Sequence, residues 1–137
     1  MDRDLWNVAE KKGKVLSGIE TFEEQLQILK KIPIEYQIKN LLSIAQKLSA
    51  YKKQLLNMAV TYETGDIQKL SKLSKKGLGS IRKFMIQDRN HVMADRIYAK
   101  VRENSLFCAI GVGHLAGKEG VLRLLKAKGL NIKPIKV

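Results

Sequence analysis

The chain has 137 residues, and its 26 Lys and Arg against 13 Asp and Glu give a formal charge of +13. This length suits one domain, and we expect residues 1–137 to form it. A single Cys excludes an intramolecular disulfide, and no apolar run reaches the ~18 residues of a membrane-spanning helix. The amino terminus has no apolar signal segment, which predicts a cytoplasmic protein as encoded.

The amino-terminal part predicts a helix, a strand and a second helix. The first helix spans residues 3–12 and ends at Gly13. Residues 14–19 are short and largely apolar, which predicts a strand. Thr21 and Glu24 then have the spacing of a capping box, in which each side chain binds the other residue's backbone N–H, so a helix begins there.

The middle of the chain predicts helices, because its apolar residues recur at a spacing of 3.6. One helix starts at Pro33, which suits a first turn, and the pattern continues with a break near Ser49. Asp66 can cap a further short helix. The remaining predicted features are a loop flanked by Gly77 and Gly79, and a long helix from Ser80 to Glu103.

The carboxyl-terminal part predicts a βαβ unit. Residues 106–110 are a continuous apolar run, typical of a buried parallel strand. A glycine-rich turn, a helix at 118–128 and an edge strand at 131–137, interrupted by Pro134, follow it. The expected fold is therefore α/β and mostly helical. It has a small, partly parallel sheet of about three strands, with a large helical block inserted between strand 1 and the carboxyl-terminal βαβ unit.

His114 and Glu20 are the first candidate site residues, since each follows a predicted strand. If these strands are parallel neighbours, both side chains lie at one edge of the sheet, the usual place for ligands. His114 could act there as a metal ligand, a general base or an oxyanion donor, or simply bond to its own turn. Glu20 could share a divalent ion with it, or belong only to the helix start. Gly111 and Gly113 would leave backbone N–H groups for an anion.

Arg89 is the third candidate, because it lies among apolar residues of the long predicted helix, next to Asn90. A cation on such a surface needs a carboxylate of the fold or an anionic ligand. His91 points away from this stripe and is expected at the surface. Cys108 lies inside the apolar run, which favours a core thiol over a nucleophile.

The positive charge could also indicate nucleic-acid binding, which usually combines Lys and Arg with stacked aromatic side chains. Here the eight aromatic residues are scattered and do not interleave with the Lys pairs. A solvated Lys-rich face is the simpler interpretation. Nucleic acid is therefore an unlikely partner and ranks last among the functional hypotheses.

Several segments resemble, in order and spacing, the motifs of the TraB/GumN family. Residues 18–26 resemble its GLET-x-E-x-Q signature, and residues 88–97 resemble its helix with an Arg-Asn pair. Residues 107–117 resemble its strand and glycine turn with a Gly-x-x-His. Residues 62–66 and 120–129 resemble its mid-region link and its closing helix with a glycine stop. Each motif is short, but their common order along one chain makes the resemblance specific.

The resemblance implies a divalent-metal hydrolase fold related to the Tiki proteases, which are metal-dependent. It implies hydrolysis of a peptide-like substrate, with Glu20, Arg89 and His114 as catalytic residues. Glu20 and His114 would hold Mn, Co or Zn, and Arg89 would position a carbonyl or carboxylate. Carried over by position, the motif residues are Glu20, Thr21, Arg89, Asn90, Gly111 and His114.

The amino-terminal half of the family pattern, with another Gly-x-x-His and further acidic residues, has no counterpart in this sequence. The chain is therefore expected to be a carboxyl-terminal half that is inactive alone. A homo-oligomer, or a separate chain supplying the missing half, would complete it. The alternative is a non-catalytic interaction module that pairs with a partner chain. Relatives often carry export signals at their own amino termini.

Overall fold

A computed structural model describes residues 2–135, which form helices joined by loops and extended segments. A 3₁₀ turn at Gly79–Ile81 and a π turn at Lys83–Gln87 lead into helix α6, and a second 3₁₀ turn covers Val112–His114. The helices are α1 (Asp2–Lys11), α2 (Phe22–Lys30), α3 (Ile34–Gln46), α4 (Leu48–Glu63), α5 (Ile67–Leu78), α6 (Asp88–Glu103) and α7 (Val121–Ala127).

Local signals fixed several helix ends as predicted. The capping box is present: the backbone N–H of Thr21 donates to Glu24 Oε2 at 2.8 Å, and that of Glu24 donates to Thr21 Oγ1 at 3.1 Å. Asp66 accepts a backbone bond of 2.8 Å from the first turn of α5. Gly13 and Gly129 adopt positive φ angles of 61° and 91° after α1 and α7, which suits glycine.

The predicted α/β fold with a small, partly parallel sheet is wrong, because no strand occurs between residues 2 and 135. The segments predicted as strands are 14–19, 106–110 and 131–137, of which 136 and 137 lie outside the described residues. Their described parts are extended but exchange no backbone hydrogen bonds with one another. Each packs on the helical core by a few side chains instead of lying beside the next segment, so no ladder forms.

The core lies between α6 and α7. Met93, Ala94 and Ile97 of α6 are buried against Val121 and Leu125 of α7. The three extended segments border this cluster, which explains why they are apolar without forming a sheet. Their partly buried contributions are Ile19, Cys108, Ile110, Leu130 and Ile132. No helix in residues 2–135 is both long and apolar enough to cross a bilayer.

Helix boundaries differ from the prediction at four places. The long helix expected from Ser80 to Glu103 is regular only from Asp88, after the π turn. Gly77, expected beside a loop, lies inside α5, because a helix tolerates a lone glycine. A Cβ atom added at Gly77 would have no atom within 4 Å. The break expected near Ser49 lies at Lys47. The helix expected at 118–128 begins only at Val121, after a tight turn.

Gly120 closes that turn, where the backbone passes so near that a side chain has no room. A Cβ atom at Gly120 would lie 2.5 Å from the carbonyl oxygen of Leu115 and 2.6 Å from the carbonyl carbon of Ala116. These are backbone atoms, and Ser71 Oγ further fixes Ala116 by donating to its carbonyl at 3.1 Å. The close approach fixes the turn that follows His114.

We therefore expect Gly120→Ala to lower the free energy of unfolding by about 2 kcal/mol, the typical cost of overpacking. Gly77→Ala is the matched control, because nothing lies within 4 Å of its added Cβ. It should stabilise the protein by about 1 kcal/mol through helix propensity. Urea unfolding followed by circular dichroism measures both, and equal stabilities for the two variants would contradict the described turn.

Candidate functional site

Arg89 and Glu20 form an ion pair with two hydrogen bonds, which joins α6 to the segment before α2. Arg89 Nε donates to Glu20 Oε1 at 2.8 Å, and Nη2 donates to Oε2 at 2.7 Å. The Glu20 side chain is only 6% exposed and that of Arg89 19%. These bonds raise the pKa of Arg89 above its ordinary value. Of the two kinds of partner expected for Arg89, a carboxylate of the fold or an anionic ligand, the structure shows the carboxylate of Glu20.

A second pair lies beside the first. Arg96 donates to both carboxylate oxygens of Glu24, at 2.7 and 2.5 Å, and to the carbonyl oxygen of Ile19 at 2.7 Å. The bond from Arg96 lowers the pKa of Glu24 to about 2. The sequence analysis missed this pair. The available signal was an acid-rich turn opposite the arginine stripe of a helix.

The π turn immediately precedes these residues. π turns in helices often occur at functional sites. The carbonyl of Met85, inside this turn, accepts a bond of 3.2 Å from Arg89 Nη1. A small cleft of about 150 Å³ opens beside the ion pair, between Arg89, Phe84 and Lys31. No sequence pattern predicts the π turn, which helps to orient the guanidinium at the edge of this cleft.

Asn90 determines which nitrogen of His114 carries the proton. Asn90 Nδ2 donates to the backbone carbonyl of Glu119 at 2.5 Å, so its Oδ1 faces His114 Nδ1 at 2.6 Å. An amide oxygen can only accept, and Nδ1 must therefore be the donor. Nε2 of the neutral ring then has a lone pair.

His114 is held in its neutral form. Burial lowers its pKa, the nearby charge of Arg89 lowers it further, and Glu20 partly opposes this. Within residues 2–135 no hydrogen bond reaches Nε2, and no fully buried side-chain nitrogen or oxygen lacks a partner. Nε2 therefore reaches solvent, and it can accept a proton or a hydrogen bond.

Glu20 and Arg89 are thus in direct contact, and both charges act on the His114 imidazole, although the described residues form no sheet edge. Gly111 lies against the imidazole, since a Cβ atom there would be 3.7 Å from His114 Cδ2. A Cβ atom at Gly113 would face open space. Anion binding by this turn stays a prediction, as do the catalytic roles of the three side chains.

The donor set does not form a divalent-metal site by itself. Both carboxylate oxygens of Glu20 are bonded to Arg89, which leaves His114 Nε2 as the accessible donor. In the part of the chain that the structure describes, no three His, Cys, Asp or Glu side chains are grouped to hold one ion. Metal ions in proteins usually need at least three ligands.

Two other residues lie where the sequence placed them. His91 is at the surface, with its side chain 55% exposed and its Nε2 2.8 Å from Glu119 Oε2. Cys108 packs against the core between α6 and α7, and burial raises the pKa of its thiol. A thiol with a raised pKa is a poor nucleophile.

Comparison with known proteins gives one match. The family described as TraB/PrgY/gumN matches residues 1–134, essentially the whole chain. No curated protein matches, and no solved structure matches either. The match covers all the residues of the candidate site.

Removing Arg89 should destabilise the protein strongly, because the carboxylate of Glu20 would remain buried without its partner. We expect Arg89→Ala to lower the free energy of unfolding by about 3 kcal/mol. The double variant Arg89→Ala with Glu20→Gln should recover part of this loss. Lys83→Ala is the control, since its pair with Asp88 is largely exposed and contributes below about 0.5 kcal/mol. A double variant less stable than Arg89→Ala would contradict a buried charge pair.

The neutral state of His114 makes stability depend on pH. Its pKa in the folded protein is lowered, so the unfolded chain binds more protons once the pH falls below about 6.5. Stability should therefore decline from pH 7.5 to pH 5.5, and decline less in His114→Gln. His91→Gln is the control and should behave like the wild type. NMR titration would also show a midpoint for His114 below 6.5, and a midpoint above it would sink the assignment.

Proposed function

The chain belongs to the TraB/PrgY/gumN family, and from this premise we propose that it carries one half of a hydrolytic site, which a partner chain completes. The observation that carries this proposal is the hydrogen bond from His114 to Asn90. It leaves the lone pair of Nε2 free to accept a proton, in the electrostatic field of the partly buried cation of Arg89. A neutral imidazole next to a fixed cation is suited to general-base catalysis.

The proposed reaction is hydrolysis of a peptide-like acyl bond. His114 Nε2 accepts a proton from a water molecule as the water oxygen bonds to the carbonyl carbon. The proton then passes to the leaving nitrogen when the carbon–nitrogen bond breaks. Arg89 uses three of its five N–H groups within the fold. The other two are proposed to bind the carbonyl or a carboxylate of the substrate.

Glu20 has a different part in this proposal from the one that the sequence suggested. Since Arg89 occupies both of its oxygens, Glu20 acts as a positioning residue that fixes the guanidinium. The family resemblance implies a divalent ion such as Mn²⁺, Co²⁺ or Zn²⁺. His114 Nε2 would be this chain's donor to such an ion, and the remaining donors would come from the partner.

The three extended segments support a partner chain. Residues 15–18, 105–110 and 131–135 form no backbone–backbone hydrogen bonds within the described chain. Val15, Phe107 and Ile135 are among the most exposed large apolar residues. Unpaired extended backbone with apolar side chains is a surface on which strands of another chain can add. The partner is proposed to be a separate chain or a second copy of this one.

The alternative function is a non-catalytic assembly module. One observation favours it, namely that the Glu20 carboxylate is fully engaged by Arg89 and is unavailable for catalysis or metal binding. In that case the Arg89 and His114 interactions would only stabilise the fold. The two hypotheses differ in whether His114 Nε2 reacts.

An activated ester tests His114 without the partner, because p-nitrophenyl acetate needs only an available base or nucleophile. In EDTA at pH 7.5, the wild type should hydrolyse it roughly tenfold faster than His114→Gln. The rate should fall with acid at a midpoint below about 6.5, since protonation removes the lone pair. His91→Gln is the matched control and should keep the wild-type rate. Equal rates for the wild type and His114→Gln would favour the assembly module.

Calorimetric titration with Mn²⁺, Co²⁺ and Zn²⁺ tests the half-site directly. The chain alone should give no saturable binding, because its described residues group too few donors around one point. Saturable binding that disappears in His114→Gln would show a complete metal site within this chain. The claim that a partner supplies the other donors would then be wrong.

A further inference from the structure

Helix α3 turns its apolar side chains towards solvent. Ile34, Ile38, Leu41 and Leu42 lie on one stripe, and between 52% and 68% of each residue is exposed. The helix contacts the rest of the protein by another side, which includes Tyr36, whose hydroxyl donates to the carbonyl of Gly77 at 3.0 Å. The most apolar face of α3 is therefore uncovered.

Helix α4 also exposes apolar side chains. Leu48, Leu55, Leu56 and Val60 are each about half to two-thirds exposed, and Thr61 is the only residue of α4 that is buried. We call the exposed apolar residues of both helices the α3–α4 surface. Its residues are Ile34, Ile38, Leu41, Leu42, Leu48, Leu55, Leu56 and Val60.

The area exposed by the whole protein is too large for a compact monomer. Its accessible surface is 10764 Å², whereas a folded monomer of this mass is expected to expose about 7,200 Å². The excess is roughly 3,500 Å², more than a standard protein–protein interface buries in total. The exposed apolar residues of the α3–α4 surface contribute to this excess.

The charges around the α3–α4 surface have one sign. Between residues 30 and 60 the sequence has six Lys, no Arg and a single acidic residue, Glu35. All six Lys are exposed, and no described ion pair includes any of them. Lys52 lies one helical turn from both Leu48 and Leu56, so its charge emerges within the apolar face itself.

This composition distinguishes a lipid surface from a protein partner. The centres of protein interfaces are poor in Lys and rich in Arg and aromatic residues, which is the opposite of this surface. A second copy on this surface is disfavoured too, because it would bring two lysine-rich faces together. Helices that lie in the membrane interface combine an apolar face with many Lys, whose ammonium groups reach the lipid phosphates.

We propose that α3 and α4 lie flat on an anionic membrane surface. The α3–α4 surface enters the boundary between headgroups and acyl chains, and Lys39, Lys47, Lys52 and Lys53 contact lipid phosphates. This inference is independent of the hydrolytic site, since it rests on other helices and other residues.

Co-sedimentation with vesicles tests the proposal. The probes are phosphatidylcholine vesicles and vesicles in which about a third of the lipid is phosphatidylglycerol. The wild type should bind the anionic vesicles at least tenfold more tightly, and added salt should weaken the binding. Absence of binding to the anionic vesicles, or equal binding to both kinds, would overturn the proposal.

Two sets of variants separate the lysines from the apolar residues. Lys52→Glu with Lys53→Glu should weaken binding at least tenfold. The control, Lys12→Glu with Lys14→Glu, makes the same change in net charge outside α3 and α4 and should keep most of the binding. Leu41→Asn with Leu56→Asn should also weaken binding about tenfold, because less apolar area is buried. Circular dichroism checks that each variant keeps its helical content.

The remaining outcomes go against a membrane surface. Equal losses in the two Lys→Glu pairs would show attraction by net charge alone. Unchanged binding in the leucine variant would show that nothing inserts. Light scattering without vesicles addresses a protein interface. An oligomer that dissociates in the leucine variant would show that a second copy covers the α3–α4 surface, and we expect the wild type and the leucine variant to have the same oligomeric state.

Discussion

The site depends on the ion pair between Glu20 and Arg89, which joins an extended segment to α6. Two buried charges must satisfy each other, so this pair fixes the position of the segment before α2. Asn90 is the next residue along α6 and points in another direction, towards the turn that holds His114. Arg89 and Asn90 are adjacent in α6, and they therefore hold Glu20 and His114 in fixed positions relative to each other. The buried α6–α7 cluster keeps that helix in place.

The parts of the fold that could be predicted from the sequence are the local ones. The capping box at Thr21, the cap at Asp66 and the stop at Gly129 each depend on neighbouring residues, and each was confirmed. The sheet could not be predicted, because the apolar pattern of residues 106–110 fits a buried strand and an extended segment on a helical core equally well. The apolar pattern of a segment shows which of its faces is buried, whereas the pairing of strands depends on residues that are distant in sequence.

The candidate site was predictable in its members but not in its geometry. The sequence showed that Arg89 needed a carboxylate of the fold or an anionic ligand, and Glu20 and His114 were expected together through a sheet edge that residues 2–135 do not form. The protonation of His114 depends on a chain of two contacts, from Glu119 to Asn90 and from Asn90 to the ring. Such a chain involves residues that are far apart in sequence, so no spacing rule reveals it.

The α3–α4 surface and the extended segments suit different binding partners, because their backbones differ. In α3 and α4 the peptide groups are bonded within the helices, so only side chains remain to be covered, and lipid can do this. Residues 105–110 have no backbone–backbone hydrogen bonds in the described chain, and acyl chains offer neither donors nor acceptors. Water or another polypeptide can bond to that segment, whereas lipid cannot. The partner chain proposed for the extended segments and the membrane proposed for α3 and α4 therefore do not compete for one surface.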